Sequence, residues 1–170
     1  MRKLGMYIHI PFCKSKCYYC DFCSYSGKEE MVEEYIKWLK EEIKDVAKGI
    51  HNIEISTIYI GGGTPSYIDS SYIVEIMQEI KSGYVLSENA EITIEVNPGT
   101  VDENKLQDYK LAGINRISIG LQSTHNEMLK KIGRIHNYEE FLDTYKTARK
   151  VGFENINTDL ITGLPRRNIG

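Results

Sequence analysis

Five short apolar segments alternate with helical ones along this chain, and that alternation restricts the fold more than any other feature. Residues 6–10 (Met-Tyr-Ile-His-Ile), 57–60 (Thr-Ile-Tyr-Ile), 91–96, 116–119 and 155–161 read as strands, rich in β-branched side chains and closed by glycine or Asn-Pro-Gly. Between them, residues 29–48 place Val32, Tyr35, Ile36, Leu39, Ile43 and Val46 at helical spacing. Further helices run from a cap at Asp69 or Ser70 to about Ser82, over 101–112, and from Asn137 to Lys150. Gly113 and Gly152 stand where such helices end. Strands joined by helices this regularly are parallel, which predicts an α/β architecture, either a barrel or a doubly wound sheet. Each helix has one apolar face and is expected to pack outside the strands.

The unusual residue clusters all fall at or just after strand ends: the cysteines, residues 61–65 (Gly-Gly-Gly-Thr-Pro), residues 95–99, Gln122 and Asp159. Both architectures gather their sites at the C-terminal ends of their strands. The sequence stops at Leu-Pro-Arg-Arg-Asn-Ile-Gly after the fifth strand, too soon for a closed barrel. The expectation is an incomplete (β/α) barrel with an exposed edge, or a fragment of a larger one.

All four cysteines lie within eleven residues: Cys13, Cys17, Cys20 and Cys23. Thiolates are soft ligands, and several on one loop can close around a metal centre. The first three form C-x3-C-x2-C, unlike the paired C-x2-C units of zinc ribbons or the C-x2-C-x2-C of ferredoxins. Three thiolates on a four-iron cluster leave one iron open to a ligand. A four-cysteine zinc site and a disulfide framework are the alternatives, the latter belonging to small secreted scaffolds.

A length of 170 residues fits one domain with a real core. A formal charge of −3 supplies no basic field, so nucleic acid is not an expected partner. No apolar run approaches a membrane span and no signal-peptide core opens the chain, so a cytoplasmic protein is expected.

Other residues carry chemistry less specifically. The 61–65 run permits close backbone approach and could offer its N–H and C=O groups to a ligand, or could simply be a tight turn. It is neither a Walker loop nor G-x-G-x-x-G. Glu95 sits in an apolar strand where a carboxylate needs a partner, and a ligand ammonium would serve; Asp159 poses the same problem. Arg116 and Arg134 could clamp a carboxylate, and Lys14, Lys16, Arg166 and Arg167 could meet an anion, although solvated charges are the default reading for all of them. Tyr19 could cover a cluster and exclude water, and His9 reads as a packed strand histidine rather than a ligand.

C-x3-C-x2-C with an aromatic before its last cysteine, followed by a strand and Gly-Gly-Gly-Thr-Pro, resembles the radical S-adenosylmethionine enzymes. Tyr-Ile-His-Ile-Pro-Phe-Cys, Glu-Val-Asn-Pro, Ile-Gly-Leu-Gln-Ser, Gly-Arg-Ile-His and Asp-Leu-Ile-x-Gly-Leu-Pro resemble, more narrowly, the oxygen-independent coproporphyrinogen III oxidase-like family. The resemblance covers residues 7–165. It implies that Cys13, Cys17 and Cys20 hold a [4Fe–4S] cluster whose open iron takes the amino and carboxylate groups of S-adenosylmethionine. By motif position it implies contacts to that cofactor from Tyr7, Gly62, Gly63, Thr64, Glu95, Gln122, Arg134 and Asp159. The family's electron step cleaves the sulfonium and releases a 5′-deoxyadenosyl radical, which needs an electron donor.

Two functions compete within the family. One branch decarboxylates coproporphyrinogen III oxidatively; the other binds haem and delivers it to a receiving protein. Cys23 follows Cys20 as C-x2-C rather than the oxidases' C-x-C, and only six residues precede Tyr7, which points to the haem chaperone branch. On this reading residues 1–170 are a radical SAM core truncated after the fifth strand, without the family's C-terminal domain and the haem site expected there.

Overall fold

Isoleucine at every second position builds the strands. Ile8 and Ile10, Ile58 and Ile60, Ile92 and Ile94, and Ile117 and Ile119 are each 5% exposed or less. Branched side chains suit the extended backbone, and alternation sends them all to one face. The computed structural model describes residues 1–164; Pro165, Arg166 and Arg167 of the closing motif lie outside the described residues. In chain order the elements are β1 (Arg2–Ile10), β2 (Phe12–Cys13), β3 (Tyr25–Ser26), α1 (Val32–Gly49), β4 (Ile53–Gly62), α2 (Ser70–Gly83), β5 (Val85–Val96), α3 (Glu103–Leu111), β6 (Arg116–Gln122), α4 (Asn126–Lys131), α5 (Tyr138–Val151) and β7 (Asn155–Leu160).

The main sheet is parallel throughout, in the order β1-β4-β5-β6-β7. Its spatial order follows chain order, so each crossover adds its strand on the same side. A doubly wound sheet requires a reversal of that order, and none occurs among the described residues; the arrangement is that of an incomplete (β/α) barrel. Among the described residues, β1 and β7 each pair on one side only. The helices bury Ile36 and Ile43 of α1, Ile73, Ile76, Met77 and Ile80 of α2, Leu106 and Tyr109 of α3 and Ala148 of α5 in one core with the strand isoleucines. No described helix is long and apolar enough to cross a membrane.

The opposite face of the sheet is polar. Register sets His9 beside Gly61, Glu95 beside Ser118, Ser118 beside Asn157, and Gly120 beside Asp159. The helices cover one face, and the other lines the concave side, where polar groups bond to each other and Glu95 finds the partners a carboxylate needs.

Helix termini follow local chemistry closely. Asp69 accepts from the Ser71 N–H, Asp102 from Lys105, and Asn137 and Glu140 form a reciprocal capping box. Several boundaries differ from the sequence reading, β1 among them, which starts at Arg2 rather than at residue 6. β4 and β5 start earlier, at Ile53 and Val85, because pairing continues across a register shift that hides the alternation. β6 runs through Gly120 to Gln122, as the glycine leaves room for the Arg134 guanidinium rather than ending the strand. The six-residue α4 is too short to show periodicity.

Candidate functional site

The C-terminal edge of the sheet and the cysteine loop enclose a cavity of about 670 Å3, in the range of small-molecule sites. Cys13, Cys17 and Cys20 border it, with Gly62 at the end of β4, Gly63 and Thr64 just after it, Glu95 on β5, Gln122 at the end of β6, Arg134 after α4, and Asp159 on β7. Of the eleven candidate ligands drawn from the sequence, Tyr7 alone is not in its wall. Tyr7 is 58% exposed, stacks on Tyr59 with ring centroids 6.3 Å apart, and donates to His9 Nδ1 at 2.9 Å.

The four cysteines are all free thiols, and they divide three to one. Cys13 is buried, and Cys17 and Cys20 are half-buried in the cavity wall. Cys23 is exposed, lies outside that wall, and meets the Tyr25 hydroxyl at 3.6 Å. Among the described residues no three His, Cys, Asp or Glu side chains converge closely enough to hold a single metal ion. The three thiols of the wall are soft donors, the ligand type that iron–sulfur clusters take.

The Gly-Gly-Gly run brings two loops together. A Cβ on Gly63 would fall 2.8 Å from the Phe12 carbonyl and 3.0 Å from Cys13 Sγ, and Gly62, at φ +116°, leaves space for the His9 ring. Of the N–H and C=O groups that the sequence reading offered to a ligand, the N–H groups of residues 62–64 are taken within the fold. Gly62 N–H donates to Glu95 Oε2, Gly63 N–H to the Ile10 carbonyl and Thr64 N–H to the Phe12 carbonyl, because buried backbone donors pair within the fold. His9 is a structural tie: its Nε2 donates to the Cys23 carbonyl at 2.8 Å.

Glu95 accepts from the Tyr59 hydroxyl at 2.8 Å as well as from Gly62. Burial and this carboxylate push the Tyr59 phenol far above its ordinary pKa, so it stays a donor. Asp159 accepts from Ser118 Oγ at 2.9 Å and Asn157 Nδ2 at 2.8 Å. Gln122 takes a left-handed φ of +68° at a register shift between β6 and β7, an uncommon conformation for its type and one that clusters at ligand sites.

Arg134 is held on several sides. It donates to Asn97 Oδ1 and the Gly120 carbonyl, both at 2.7 Å, to His136 Nδ1 at 3.3 Å and to the Tyr19 hydroxyl at 3.5 Å. Burial and the guanidinium lower the His136 pKa to about 4, so the ring is neutral, accepting at Nδ1 and donating from Nε2 to the Leu121 carbonyl. Desolvation in the wall pushes the Tyr19 pKa up to about 12. Arg116 proves not to belong to the site. It lies at the other end of its strand, bonded to Thr93 and 3.8 Å from Glu91, which supply the partners its charge requires. Of the lysines, Lys16 borders the cavity and donates to the Phe22 carbonyl.

Sequence reasoning missed Tyr59, Asn97, Ser118 and His136. Tyr59 and Ser118 were accessible through alternation, since each shares a face with a residue singled out beside it. Asn97 stands in the sequence reading only as part of the 95–99 cluster and the Glu-Val-Asn-Pro motif, with no role of its own, and nothing local marks His136 as buried.

A family model described as the Radical SAM superfamily matches residues 7–170. The heme chaperone HemW of Escherichia coli (strain K12) is 41% identical over 167 residues, covering 98% of this chain and 44% of the relative. HemW of Bacillus subtilis (strain 168) is 37% identical, covering 96% and 43%. The oxygen-independent coproporphyrinogen-III oxidase-like protein HemZ of Bacillus subtilis (strain 168) is 38% identical, covering 98% and 34%. Among solved structures, the coproporphyrinogen III oxidase HemN of Escherichia coli superposes with a TM-score of 0.90 at 32% identity, over 98% of this chain and 38% of that one. The chain thus spans less than half the length of these relatives.

Proposed function

The chain belongs to the radical SAM superfamily, and on that premise we propose that Cys13, Cys17 and Cys20 hold a [4Fe–4S] cluster beside a site for S-adenosylmethionine. The observation that carries this reading is the three-to-one division of the cysteines around one cavity that also contains Glu95, Arg134 and Asp159. Together the two cofactors supply one-electron chemistry when bound. The chain's own residues orient and shield. Glu95 is fixed by two donors that leave it acceptor capacity, so it suits an ammonium. Arg134 brings a positive charge to the same wall, which suits a carboxylate electrostatically, while its N–H groups bond to Asn97, Gly120, His136, Tyr19 and Cys17. Asp159 and Gln122 face the same space and suit hydroxyl or amide groups, while Tyr19 keeps water from the thiols.

For the whole protein we assign haem delivery as the function. Residues 1–170 serve as the radical SAM core, haem is bound by the longer protein, and an electron donor and a haem-receiving protein are the partners. Support comes from the relatives named heme chaperone HemW and from the C-x2-C spacing of Cys20 and Cys23. Four unpaired thiols suit a reducing cytoplasm. Oxidative decarboxylation of coproporphyrinogen III is the second reading, favoured by the superposition on HemN.

Iron and sulfide analysis of the anaerobic protein tests the cluster. Cys13→Ala, Cys17→Ala and Cys20→Ala are each expected to lose it, and Cys23→Ala to keep it; equal loss in all four would mean four-cysteine ligation. Offering the full-length protein haem and, separately, coproporphyrinogen III tests the function. Stoichiometric haem binding and transfer supports delivery, and porphyrin decarboxylation at a useful rate overturns it.

A further inference from the structure

One side chain outside the proposed ligands links two of the three cavity thiols. Asn97 directly follows the last residue of β5. Its Oδ1 accepts from Arg134 Nη2 at 2.7 Å, and its Nδ2 donates to Thr64 Oγ1 at 3.1 Å. A guanidinium has only donors, so the orientation of the amide is dictated rather than chosen. Thr64 Oγ1 receives one proton from Asn97 and directs its own to Cys13 Sγ at 3.5 Å. Arg134 Nη1 donates to Cys17 Sγ at 3.7 Å. The donors therefore run in one sense, from Arg134 through Asn97 and Thr64 to Cys13, with a branch to Cys17.

Asn97 is itself held firmly. Its N–H donates to Ser66 Oγ at 3.1 Å and its carbonyl accepts from Thr100 Oγ1 at 2.7 Å, while the two hydroxyls lie 2.6 Å apart. Lys105 Nζ donates to the carbonyls of Ser66, Ile68 and Thr100 and so fastens the loops after β4 and β5 to each other. Its half-buried position, with three carbonyl acceptors and no carboxylate among its bonds, identifies it as a clasp.

We propose that Asn97 is a positioning residue for the cluster: through Thr64 it directs a hydrogen bond onto Cys13, through Arg134 it steadies another onto Cys17, and by both it raises the cluster's reduction potential. This rests on the cluster reading above. Hydrogen bonds to cluster sulfurs stabilise the extra negative charge of the reduced state, which is how a protein shifts such potentials. Asn97→Asp is nearly isosteric but only accepts when ionised. It would keep Arg134 and take the Thr64 proton, turning that hydroxyl away from Cys13.

The test is a redox titration, followed by electron paramagnetic resonance, of wild type, Asn97→Asp, Thr64→Val and the double variant, each with iron and sulfide counted. Asn97→Asp and Thr64→Val are both expected to shift the midpoint negative, and the Asn97→Asp shift is expected to shrink to a small remainder in the Thr64→Val background. An unchanged midpoint in Asn97→Asp overturns the proposal. So does a shift of equal size in both backgrounds, which is the field of a new charge rather than a relay through Thr64. If folded Asn97→Asp fails to retain iron, the same failure in Thr64→Val supports the relay, and normal loading of Thr64→Val refutes it. A wild-type protein without a four-iron cluster overturns the cluster reading and this proposal together, whereas full loading with unmoved potentials overturns this proposal alone.

Discussion

The two walls of the cavity are built differently. On one side stand the C-terminal ends of β4, β5 and β6, backed by Ile60, Ile94, Val96 and Ile119, each 2% exposed or less. Their polar residues are already bonded to one another. On the other side lies the cysteine loop, with Tyr18, Phe22 and Tyr25 exposed at 83%, 67% and 55%. Its main-chain ties are few: Tyr18 to the Ile132 carbonyl, Thr64 to the Phe12 carbonyl, Cys20 to Cys17 and Tyr25 to Pro11, besides the two-residue pairing of β2 with β3. A wall that recognises a ligand gains from being rigid beforehand. A loop that supplies thiolates is organised by what it binds, since metal binding and local folding are coupled.

This contrast can be broken, starting with the rigid wall. Ile94→Ala removes a fully buried side chain from the central strand and is expected to cost about 3–4 kcal/mol in urea unfolding of the metal-free protein. Next comes the pH dependence carried by His136, which is 5% exposed. Its pKa falls from 6.5 in the unfolded chain to about 4 in the fold, so the unfolded state binds more protons between those values. The contribution is therefore complete above pH 6.5 and is lost as pH falls towards 4, amounting to about 3 kcal/mol. Unfolding of His136→Gln, compared with wild type over that window, should lack this slope; parallel profiles would refute the assignment.

A binding change follows. Glu95→Gln keeps the shape but removes the charge, and S-adenosylmethionine affinity in calorimetry is expected to weaken about 30-fold, or about 2 kcal/mol. An unchanged dissociation constant would remove Glu95 from the cofactor site. The smallest effect belongs to the loop. Phe22→Ala should alter the stability of the metal-free protein by no more than about 0.5 kcal/mol, because an exposed ring has little packing to lose. A large loss there would mean that the loop is as well packed as the wall opposite it.

Local rules carried far where the signal was local. Asp69 and Asn137 announced their helices by capping chemistry, and Gly152 ends its helix at φ +97° as a C-terminal glycine should. Cys13, Cys17 and Cys20 were separable from Cys23 by spacing, and they alone of the four line the cavity. The reading failed where a residue's role depends on a partner brought in by another crossover. Arg116 and Arg134 were indistinguishable as sequence, yet one pairs with Glu91 at the far end of the sheet and the other reaches Asn97 and Cys17. The amides of Gly62, Gly63 and Thr64 looked available because nothing in their neighbourhood of the chain reveals that Glu95, Ile10 and Phe12 accept from them.

By itself the sequence determined the succession of strands and helices, the face on which the isoleucines lie, and the spacing of three thiols, because each depends on residues a few positions apart. The tertiary structure decided that the sheet curls as an incomplete barrel, that Tyr59 meets Glu95 across 36 residues, and that Arg134 reaches Cys17 across 117. Such meetings depend on how successive crossovers stack their strands, and no local periodicity encodes that distance.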